Sequence, residues 1–482
     1  MVESSDDLGL ASAVKLACLI ADRTIGAREL LDHYLERIGR LDDELNSVIT
    51  FDIERAQQTA HDADAKTAAG AELGPLHGLP ITVKDAIATK GIRSTGGAVE
   101  LKDHIPTEDA PVVQRVKTAG ANVFAKTNLP PWSGDIQTFN PMFGTTNNPW
   151  DISRTPGGSS GGASTAVAMG FTSFEMGTDL AGSVRLPAHF SGVCGHKPSF
   201  GIVPQFGYLD HSTAGSLESD VNVFGPLARS VADLELLLDL MSGPTDDRAT
   251  AWELSLPPAR HDELGDFRVA AWLDDPSCPT GSKVASVLDE AVSALSRAGA
   301  AVDRAARPDV PLESASDTGL PLISATTSPA WSDNEWADQL SRAATDHGSS
   351  TIRHRDWLLL TKQRTADRHR WANFFKSYDV LLCPVAISEA IPHNQDGGFF
   401  SRTITVNGQE RPYTDLVMWT SMIGYVYLPA TVVPVGFTGD GLPVGIQVVA
   451  PFLEDRTALG FARHIEAICG GYRPPPLATS KI

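Results

Sequence analysis

The spacing of apolar residues predicts helices at the start of the chain. Within residues 8–42, apolar side chains recur every three or four positions, as at Leu30, Leu31, Tyr34, Leu35, Ile38 and Leu41. This spacing gathers them on one face of an amphipathic helix. Residues 52–69, rich in alanine and acidic side chains, predict another helix. Residues 1–70 are therefore interpreted as an N-terminal helical region.

After Gly74, short apolar runs begin to alternate with helical patterns. The run Leu79–Val83 lies between turn residues, which is typical of a buried strand. Further strands are predicted over residues 122–125, 199–204, 267–273, 380–382, 430–435 and 442–449, and helices over residues 111–119, 163–169, 230–241, 284–298 and 456–468. This alternation favours a largely parallel sheet covered by helices.

Two stretches depart from this alternation. Residues 128–162 are dense in Gly, Pro, Asn, Ser and Thr, and a loop of this length is commonly functional. Residues 307–370 are polar and predicted to be helical. Since the sequence contains no repeat and no clear linker, residues 1–482 are predicted to form one continuous domain.

Composition and charge narrow the functional classes. The 482 residues are 42% hydrophobic and 20% charged, and 59 acidic residues outnumber 39 basic ones, for a formal net charge of −20. Nucleic-acid binding and docking on anionic lipid both need a basic surface, so neither is expected. No uncharged apolar run approaches the length needed to span a membrane, and the N-terminus shows no secretory signal.

The five cysteines are scattered along the chain and include no C-x-x-C pair. This pattern indicates free thiols in a reducing compartment rather than disulfides or a zinc site. A cytoplasmic protein without a metal or cofactor is therefore expected.

Three features carry candidate chemistry, and the first is Lys84, which directly follows Ile81-Thr82-Val83. Lysine is rarely buried, yet this one leaves a strand that should be interior. Burial disfavours the ammonium form and lowers the pKa of a lysine, so a neutral amine could serve as a base. The alternative is a lysine that reaches solvent from the strand end or pairs with Asp85.

The second feature is the segment Thr155-Pro156-Gly157-Gly158-Ser159-Ser160-Gly161-Gly162. Its four glycines allow the backbone to turn tightly around two serines. The segment fits neither G-x-G-x-x-G nor a phosphate loop ending in G-K-[ST]. It contains the nucleophile-elbow pattern G-x-S-x-G, but the residues before it make a poor strand. A structural turn is the alternative.

The third feature is Gly177–Pro187, with the sequence GTDLAGSVRLP. A tight loop over residues 180–182 would aim several backbone N–H groups at one point beside Ser183, as an oxyanion site requires. Asp179 and Arg185 bracket this loop and are expected to pair across its base. A polar turn is again the alternative.

Together the three features resemble the amidase signature family, whose Ser–Ser–Lys triad comes from three such segments in this order. Ser159 follows Lys84 by 75 residues, and Ser183 follows Ser159 by 24. The resemblance extends through residues 74–80, 126–129, 225–233 and 441–447, and it covers nearly the whole chain. It is least specific over residues 243–280 and 305–415.

The resemblance implies an α/β fold: a single α/β/α domain with a large twisted mixed β-sheet covered by helices on both faces. Residues 74–240 would form the catalytic core segment. Residues 305–420 would form a variable, mainly helical region that contributes to the substrate pocket. The resemblance leaves a homodimer open as the assembly.

The resemblance also implies roles in the hydrolysis of a linear amide. Ser183 would attack the carbonyl, and Ser159, which the family holds on a cis peptide, would pass the proton to neutral Lys84. The oxyanion would be held by the backbone N–H groups of Leu180, Ala181, Gly182 and Ser183. Ala181 stands where many members have glycine. The triad would be supported by Ser160, Asp179 and Arg185.

The expected substrate is a small to medium, uncharged amide or carbamate, partly apolar or aromatic, with anilides and esters as further options. Side chains of the loop over residues 132–143 are expected to line its acyl pocket. The candidate residues are Trp132, Gly134, Asp135, Ile136, Gln137 and Phe143. On the leaving-group side we expect Trp419, Tyr425 and Tyr427.

Three other functions stay open on sequence alone. An amidotransferase subunit that releases ammonia from glutamine would share the triad, and a catalytically silent binding protein would share the scaffold. An α/β-hydrolase would use Ser159 with a histidine base.

Other candidate groups are set aside. His189 and His196 lie near Ser183 but are interpreted as structural, because the relay already has a base. Cys194 lacks an obvious activating partner and is interpreted as a buried thiol. Ser12 and Lys15 form an S-x-x-K match, which we discount because it lies on the terminal amphipathic helix.

Overall fold

The computed structural model describes residues 5–209, 215–327 and 351–479. Its N-terminal helices agree with the sequence pattern and span Ser5–Leu10, Ala13–Ala21, Ala27–Leu41 and Ile53–Ala68. Later helices in the described ranges span Pro111–Thr118, Gly161–Met169, Arg185–Ser191, Val231–Met241, Asp246–Ala249, Ser282–Arg297, Leu320–Thr327, His354–Phe374, Met418–Gly424, Asp455–Cys469 and Pro476–Thr479. The part of the predicted 307–370 helical region that covers residues 328–350 lies outside the described residues.

The described strands are numbered in chain order. They are β1 (Val48–Phe51), β2 (Pro80–Lys84), β3 (Asn122–Thr127), β4 (Phe139–Asn140), β5 (Gly144–Thr145), β6 (Glu175–Asp179), β7 (Cys194–Lys197), β8 (Val223–Ala228), β9 (Arg268–Ala271), β10 (Ala301–Asp303), β11 (Val380–Pro384), β12 (Thr403–Val406), β13 (Gln409–Pro412), β14 (Ala430–Phe437) and β15 (Pro443–Val449).

The large sheet contains eight strands in the order β10-β9-β11-β15-β14-β7-β8-β6. β9 pairs in parallel with β10 and with β11, and the other five neighbouring pairs are antiparallel. The prediction of a mixed sheet is confirmed, whereas the expectation of a largely parallel one is wrong. A helix between two strands makes them parallel only where they are neighbours, and here β6 and β7 lie on either side of β8 while β14 and β15 form a hairpin.

Helices cover both faces of this sheet, as alternate residues of β14 show. Val433 packs in one core cluster with Leu288 and Phe461, which belong to the helices Ser282–Arg297 and Asp455–Cys469. Val432 packs in another cluster with Ala188 of the helix Arg185–Ser191. Because successive side chains of a strand point to opposite faces, the sheet forms the middle layer of an α/β/α fold.

A smaller sheet, in the order β1-β3-β2, lies against the edge of the large one. Its strand β2 packs against β6, the last strand of the large sheet. Side chains connect the two edges: the Thr82 N–H donates to Thr172 Oγ1 (2.9 Å), and Thr82 Oγ1 donates to Glu175 Oε1 (2.9 Å). This junction brings the end of β2 close to the loop that follows β6.

The sequence pattern fails at residues 199–204 and at β6, among other places. Residues 199–204 were predicted as a strand but form turns, because the Asp455 carboxylate accepts the Ser199 N–H (2.7 Å) and the Ser199 hydroxyl (2.6 Å). β6 was not predicted, since its sequence EMGTD is polar and contains glycine. All five of its residues are nevertheless buried.

Candidate active site

Lys84 ends β2 and is completely buried. Its Nζ lies 2.6 Å from Ser159 Oγ, 3.0 Å from Ser160 Oγ and 2.7 Å from Thr178 Oγ1. Burial lowers the pKa of Lys84 to about 7, although the carboxylates of Asp179 and Glu175 act to raise it. The neutral amine is therefore well populated near neutral pH.

Lys84 does not pair with Asp85, the alternative that the sequence left open. The Asp85 side chain accepts the Thr95 N–H (2.9 Å) and the Thr95 hydroxyl through the same oxygen. Burial raises the pKa of Asp85 to about 6. The hydrogen-bond partners of the Lys84 amine in the described chain are thus three hydroxyl groups.

The three hydroxyls can bind either protonation state of the Lys84 amine, since the ammonium form has three N–H donors for them. A neutral amine offers two N–H donors and one lone pair, so one of its three partners must donate to it. Ser160 Oγ donates at 3.4 Å to the carbonyl oxygen of Thr178, and it therefore accepts from Lys84. This leaves the hydroxyls of Ser159 and Thr178 as the groups able to donate a proton to Nζ.

The glycine-rich segment holds Ser159 against residues 135–138. The peptide bond between Gly158 and Ser159 is cis. A Cβ at Gly158 would lie 2.7 Å from backbone atoms of residues 135–137, and one at Gly161 would lie 2.3 Å from Thr138 Oγ1. The close approach explains why these positions carry glycine. The segment follows irregular chain rather than a strand, so the nucleophile elbow does not form here.

A buried ion pair shapes the loop between β6 and the helix Arg185–Ser191. Arg185 contacts the Asp179 carboxylate twice, through Nη2 (2.8 Å) and Nε (3.0 Å), and neither side chain is accessible to solvent. The same carboxylate accepts backbone N–H groups of Gly182 (2.8 Å) and Val184 (3.1 Å). Burial acts to raise the pKa of Asp179, but Arg185 and these donors hold it below its ordinary value.

Three of the four predicted oxyanion donors are free in this loop. No hydrogen bond between described residues uses the N–H groups of Leu180, Ala181 or Ser183. The prediction is wrong for Gly182, because its N–H already donates to Asp179 Oδ1. Gly182 instead provides backbone freedom: its φ is +133°, and a Cβ there would lie 2.6 Å from Thr420 Oγ1.

Ser183 is half-buried and lines a cavity of about 390 Å³. Its carbonyl oxygen accepts the Ser160 N–H (3.2 Å), which joins the two serine-bearing segments. Its hydroxyl forms no hydrogen bond to any residue in the described ranges. The Ser159 hydroxyl faces Lys84, and Ser183 is the serine of the pair that borders the cavity.

The cavity is largely apolar, with Trp132, Ile136, Ile323 and Val417 among its lining residues. Asp135 is the one charged residue among the described residues of the lining. Its carboxylate is neutralised by Arg402 Nη1 (2.6 Å) and accepts the Tyr413 hydroxyl (2.8 Å). The cavity therefore offers a ligand no unpaired charge from the described chain.

Some predicted pocket residues do not reach the cavity. Trp132, Gly134, Asp135 and Ile136 line it, whereas Gln137 and Phe143 do not. The Gln137 amide is buried and donates to the carbonyl oxygen of Asn394 (2.5 Å). The Phe143 ring packs beneath Arg93, whose guanidinium carbon lies 5.3 Å from the centroid of the ring.

The three aromatic residues predicted on the leaving-group side also lie elsewhere. Trp419 and Tyr425 belong to a buried core cluster. The Tyr427 hydroxyl donates to Asp220 (2.5 Å). Tyr208 and Phe399 provide aromatic surface in the cavity instead.

The histidines near Ser183 take part in structural hydrogen bonds. The Gly445 N–H donates to His189 Nδ1 (2.8 Å), and His189 Nε2 donates to the carbonyl oxygen of Ser388 (3.1 Å). Burial lowers the pKa of His189. His196 contacts Thr431 and Asp455. Burial raises the pKa of Cys194 well above its ordinary value, so its thiolate is disfavoured.

Sequence reasoning missed two residues around the site. Thr178 contacts the Lys84 amine, and Glu175 accepts the Lys84 backbone N–H (3.1 Å). Thr138, within the predicted pocket loop 132–143, donates from Oγ1 to the carbonyl oxygen of Gly157 (2.9 Å). For Glu175, the available signal was a carboxylate within the short sequence EMGTD.

Within residues 5–209, 215–327 and 351–479, no group of three or more His, Cys, Asp or Glu is arranged to hold a metal. No helix in these ranges is long and apolar enough to cross a membrane.

Comparisons with known proteins extend over nearly the whole chain. It is 32% identical to an indoleacetamide hydrolase from Bradyrhizobium diazoefficiens (95% of this chain, 86% of the relative). It is also 32% identical to an acylamidase from Rhodococcus erythropolis (96% and 97%). Identity to a glutamyl-tRNA(Gln) amidotransferase subunit from Geobacillus thermodenitrificans is 29% (96% and 98%).

The fold is shared with solved structures. A bacterial aryl acylamidase structure superposes with a TM-score of 0.81 at 23% identity, covering 95% of this chain and 96% of the other. The family model described as Amidase matches residues 29–459. This chain therefore belongs to the amidase family.

Proposed function

We propose that this chain hydrolyses the C–N bond of a small, uncharged linear amide through an acyl-enzyme on Ser183. The observation that carries the proposal is the buried Lys84 amine, with a pKa of about 7, hydrogen-bonded to Ser159. The cavity-lining Ser183 adjoins this pair through the Ser160 N–H contact. Nucleophilic serine needs such a base, because its hydroxyl is weak near neutral pH.

In the proposed reaction, Ser159 connects Ser183 to Lys84. Ser183 Oγ bonds to the carbonyl carbon while its proton passes to Ser159, whose own proton passes to Lys84. The free N–H groups of Leu180, Ala181 and Ser183 would stabilise the resulting oxyanion. The Lys84 ammonium then returns a proton through Ser159 to the leaving nitrogen, and the C–N bond breaks. Water attacks the acyl group on Ser183 by the same route.

A substrate panel tests this proposal. Acyl anilides, aliphatic amides, esters and carbamates of one apolar acyl group share the carbonyl that Ser183 would attack. We expect turnover of neutral apolar amides, with esters and carbamates showing how far the leaving group can vary. The measurement is kcat/KM of the wild type on each substrate, with heat-inactivated protein as the control. No turnover of any neutral member would contradict the proposal.

Glutamine is the alternative substrate, since a relative is an amidotransferase subunit. Glutamine carries a carboxylate and an ammonium group, and both need charged partners. The lining of the described cavity contains Asp135, which Arg402 already neutralises. We therefore expect ammonia release from glutamine to be at least about tenfold less efficient than hydrolysis of a neutral amide of similar size, since one lost charge contact is worth a factor of this order.

The pH dependence provides a prediction. Protonation removes the Lys84 lone pair, so kcat/KM should fall as pH drops through about 7, by about tenfold per unit further below. The measurement is kcat/KM between pH 5 and 9, with circular dichroism at each pH to confirm folding. A flat profile down to the pH of acid unfolding would rule out Lys84 as the base.

Gly182→Ala is expected to reduce kcat by at least about a hundredfold, as the loss of an oxyanion site does. The new Cβ would clash with Thr420, and φ of +133° strains any residue with a side chain. Gly39→Ala is the matched control, because its Cβ would meet nothing within 4 Å and it lies within the helix Ala27–Leu41. Equal activity in the two variants would show that the conformation of the 180–183 loop is not critical.

A further inference from the structure

Glu175 is a buried carboxylate that the relay does not use. It begins β6 and has no accessible surface. Its Oε1 accepts the hydroxyls of Thr82 (2.9 Å) and Thr127 (2.7 Å). Its Oε2 accepts the backbone N–H groups of Lys84 (3.1 Å) and Met176 (2.7 Å).

The four donors fit the ionised form of Glu175. An ionised carboxylate has about four acceptor sites and no donor. The two backbone N–H groups can only donate, so Oε2 must accept from both. Burial raises the pKa of Glu175 to about 7, and the hydrogen bonds from Thr127, Thr82 and Met176 act in the opposite direction. The ionised form of Glu175 is therefore well populated at pH 7 and above.

This charge lies at the junction of the two sheets. Its donors come from β2, β3 and β6, and one of them is the backbone N–H of Lys84 itself. Glu175 therefore both fixes the end of β2 and acts electrostatically on the Lys84 amine. Asp179 is the second carboxylate that acts on this amine, and it is paired with Arg185.

Other charged groups complete the surroundings of Glu175. Lys126 of β3 also acts electrostatically on Glu175, and burial lowers the pKa of Lys126 to about 8. Asp85 in turn acts on Lys126. Lys126 Nζ donates to the carbonyl oxygen of Ile87 (2.6 Å) and to Thr89 Oγ1 (2.8 Å). It therefore leaves the hydrogen-bonding sites of Glu175 to the two threonine hydroxyls and the two backbone N–H groups.

We infer that Glu175 is a positioning residue that holds Lys84 in the relay and sets the pH at which its amine becomes a base. The inference rests on the proposed function. A negative charge beside the amine favours the ammonium form. Removing that charge should therefore extend activity to lower pH, whereas loss of packing alone would reduce the rate at every pH.

Glu175→Gln tests the inference. The glutamine has the same shape, its oxygen can accept both backbone N–H groups, and its amino group can donate to the two threonine hydroxyls. The readout is the rate at which a fluorophosphonate labels Ser183 between pH 5 and 9, because this needs no knowledge of the substrate. Because Glu175 is only partly ionised below about pH 7, we expect the midpoint of the acid limb to move down by about half a pH unit. One unit below the wild-type midpoint, labelling relative to its plateau should be about 2.5-fold faster than in wild type.

Asp42→Asn is the matched control. Asp42 is another buried carboxylate that accepts a hydroxyl and backbone N–H groups, from Ser47 and Val48. It is not among the groups that act on Lys84, so its substitution should leave the acid limb in place. If Glu175→Gln does not fold, Glu175→Asp keeps the charge and shortens the side chain. In that variant Ser183 should be labelled more slowly, and the midpoint of the acid limb should not change.

A lower plateau of the labelling rate with an unchanged midpoint in Glu175→Gln would overturn the inference, and so would a midpoint at higher pH. Either result would leave the proposed function standing. A midpoint that moves down in Glu175→Asp would also overturn the inference. If wild-type Ser183 is not labelled at any pH, the proposed function itself fails, and the inference fails with it.

Discussion

Ser183→Ala is expected to abolish amide hydrolysis, with a loss in kcat on the order of 10⁴-fold or more, as for removal of a nucleophile in other serine hydrolases. Ser159→Ala should be severe but leave a trace, because Ser183 and the free N–H groups of residues 180–183 remain. The check is kcat on the best neutral amide. Mass mapping of the fluorophosphonate-labelled peptide should place the label on Ser183 in wild type and in Ser159→Ala.

Ser12→Ala controls for the loss of any serine hydroxyl near a lysine. Ser12 Oγ accepts the Lys15 N–H (3.3 Å) as a helix N-cap, so its loss should cost about 1 kcal/mol of stability and leave kcat unchanged. A label on Ser159 that survives Ser183→Ala, together with retained turnover, would instead favour Ser159 as the nucleophile.

Arg185→Met should give the largest loss of stability, about 3–5 kcal/mol in the free energy of unfolding. The substitution leaves the Asp179 carboxylate buried without its charged partner. It also removes the contacts of Arg185 Nη1 with the carbonyl oxygen of Thr420 (2.8 Å) and with Gln447 (2.7 Å). Urea unfolding followed by circular dichroism measures this loss. Activity should fall as well, because Asp179 holds the loop that contains Ser183.

Arg297→Met is the control for this experiment. Arg297 pairs with Glu290 (2.7 Å) at side-chain exposures of 64% and 72%, and such a surface pair should contribute less than about 1 kcal/mol. If the two arginine variants lose similar stability, the buried pair does not stabilise the loop between β6 and the helix Arg185–Ser191.

The sequence predicted the parts of the site that depend on local pattern. The run Ile81-Thr82-Val83 indicated a buried strand, and the structure buries Lys84 at its end. Small residues before Ser183 indicated a tight loop, and Asp179 and Arg185 pair across it as expected. In each case the relevant neighbours lie within a few residues, so composition and spacing carry the information.

The parts that failed depend on long-range packing. Gln137 and Phe143 lie near Trp132 in sequence, but the loop turns their side chains away from the cavity. Ile323 and Val417 also line the cavity, more than a hundred positions from Ser183. They lie in the region 305–420, which the family resemblance, and not the local pattern, assigned to the substrate pocket. Likewise, strand direction in the large sheet depends on which strands are neighbours, and a helix between two strands does not determine this.

The side-chain junction between β2 and β6 has a consequence for the proposed proton path. The proposed base ends β2 and the proposed nucleophile follows β6, and among the described residues these two strands belong to different sheets. A small separation, with both sheets intact, would break the proton path. Turnover should therefore be lost at a lower denaturant concentration than the secondary structure. The rate of catalysis would then report how closely the three-stranded sheet packs against the eight-stranded one.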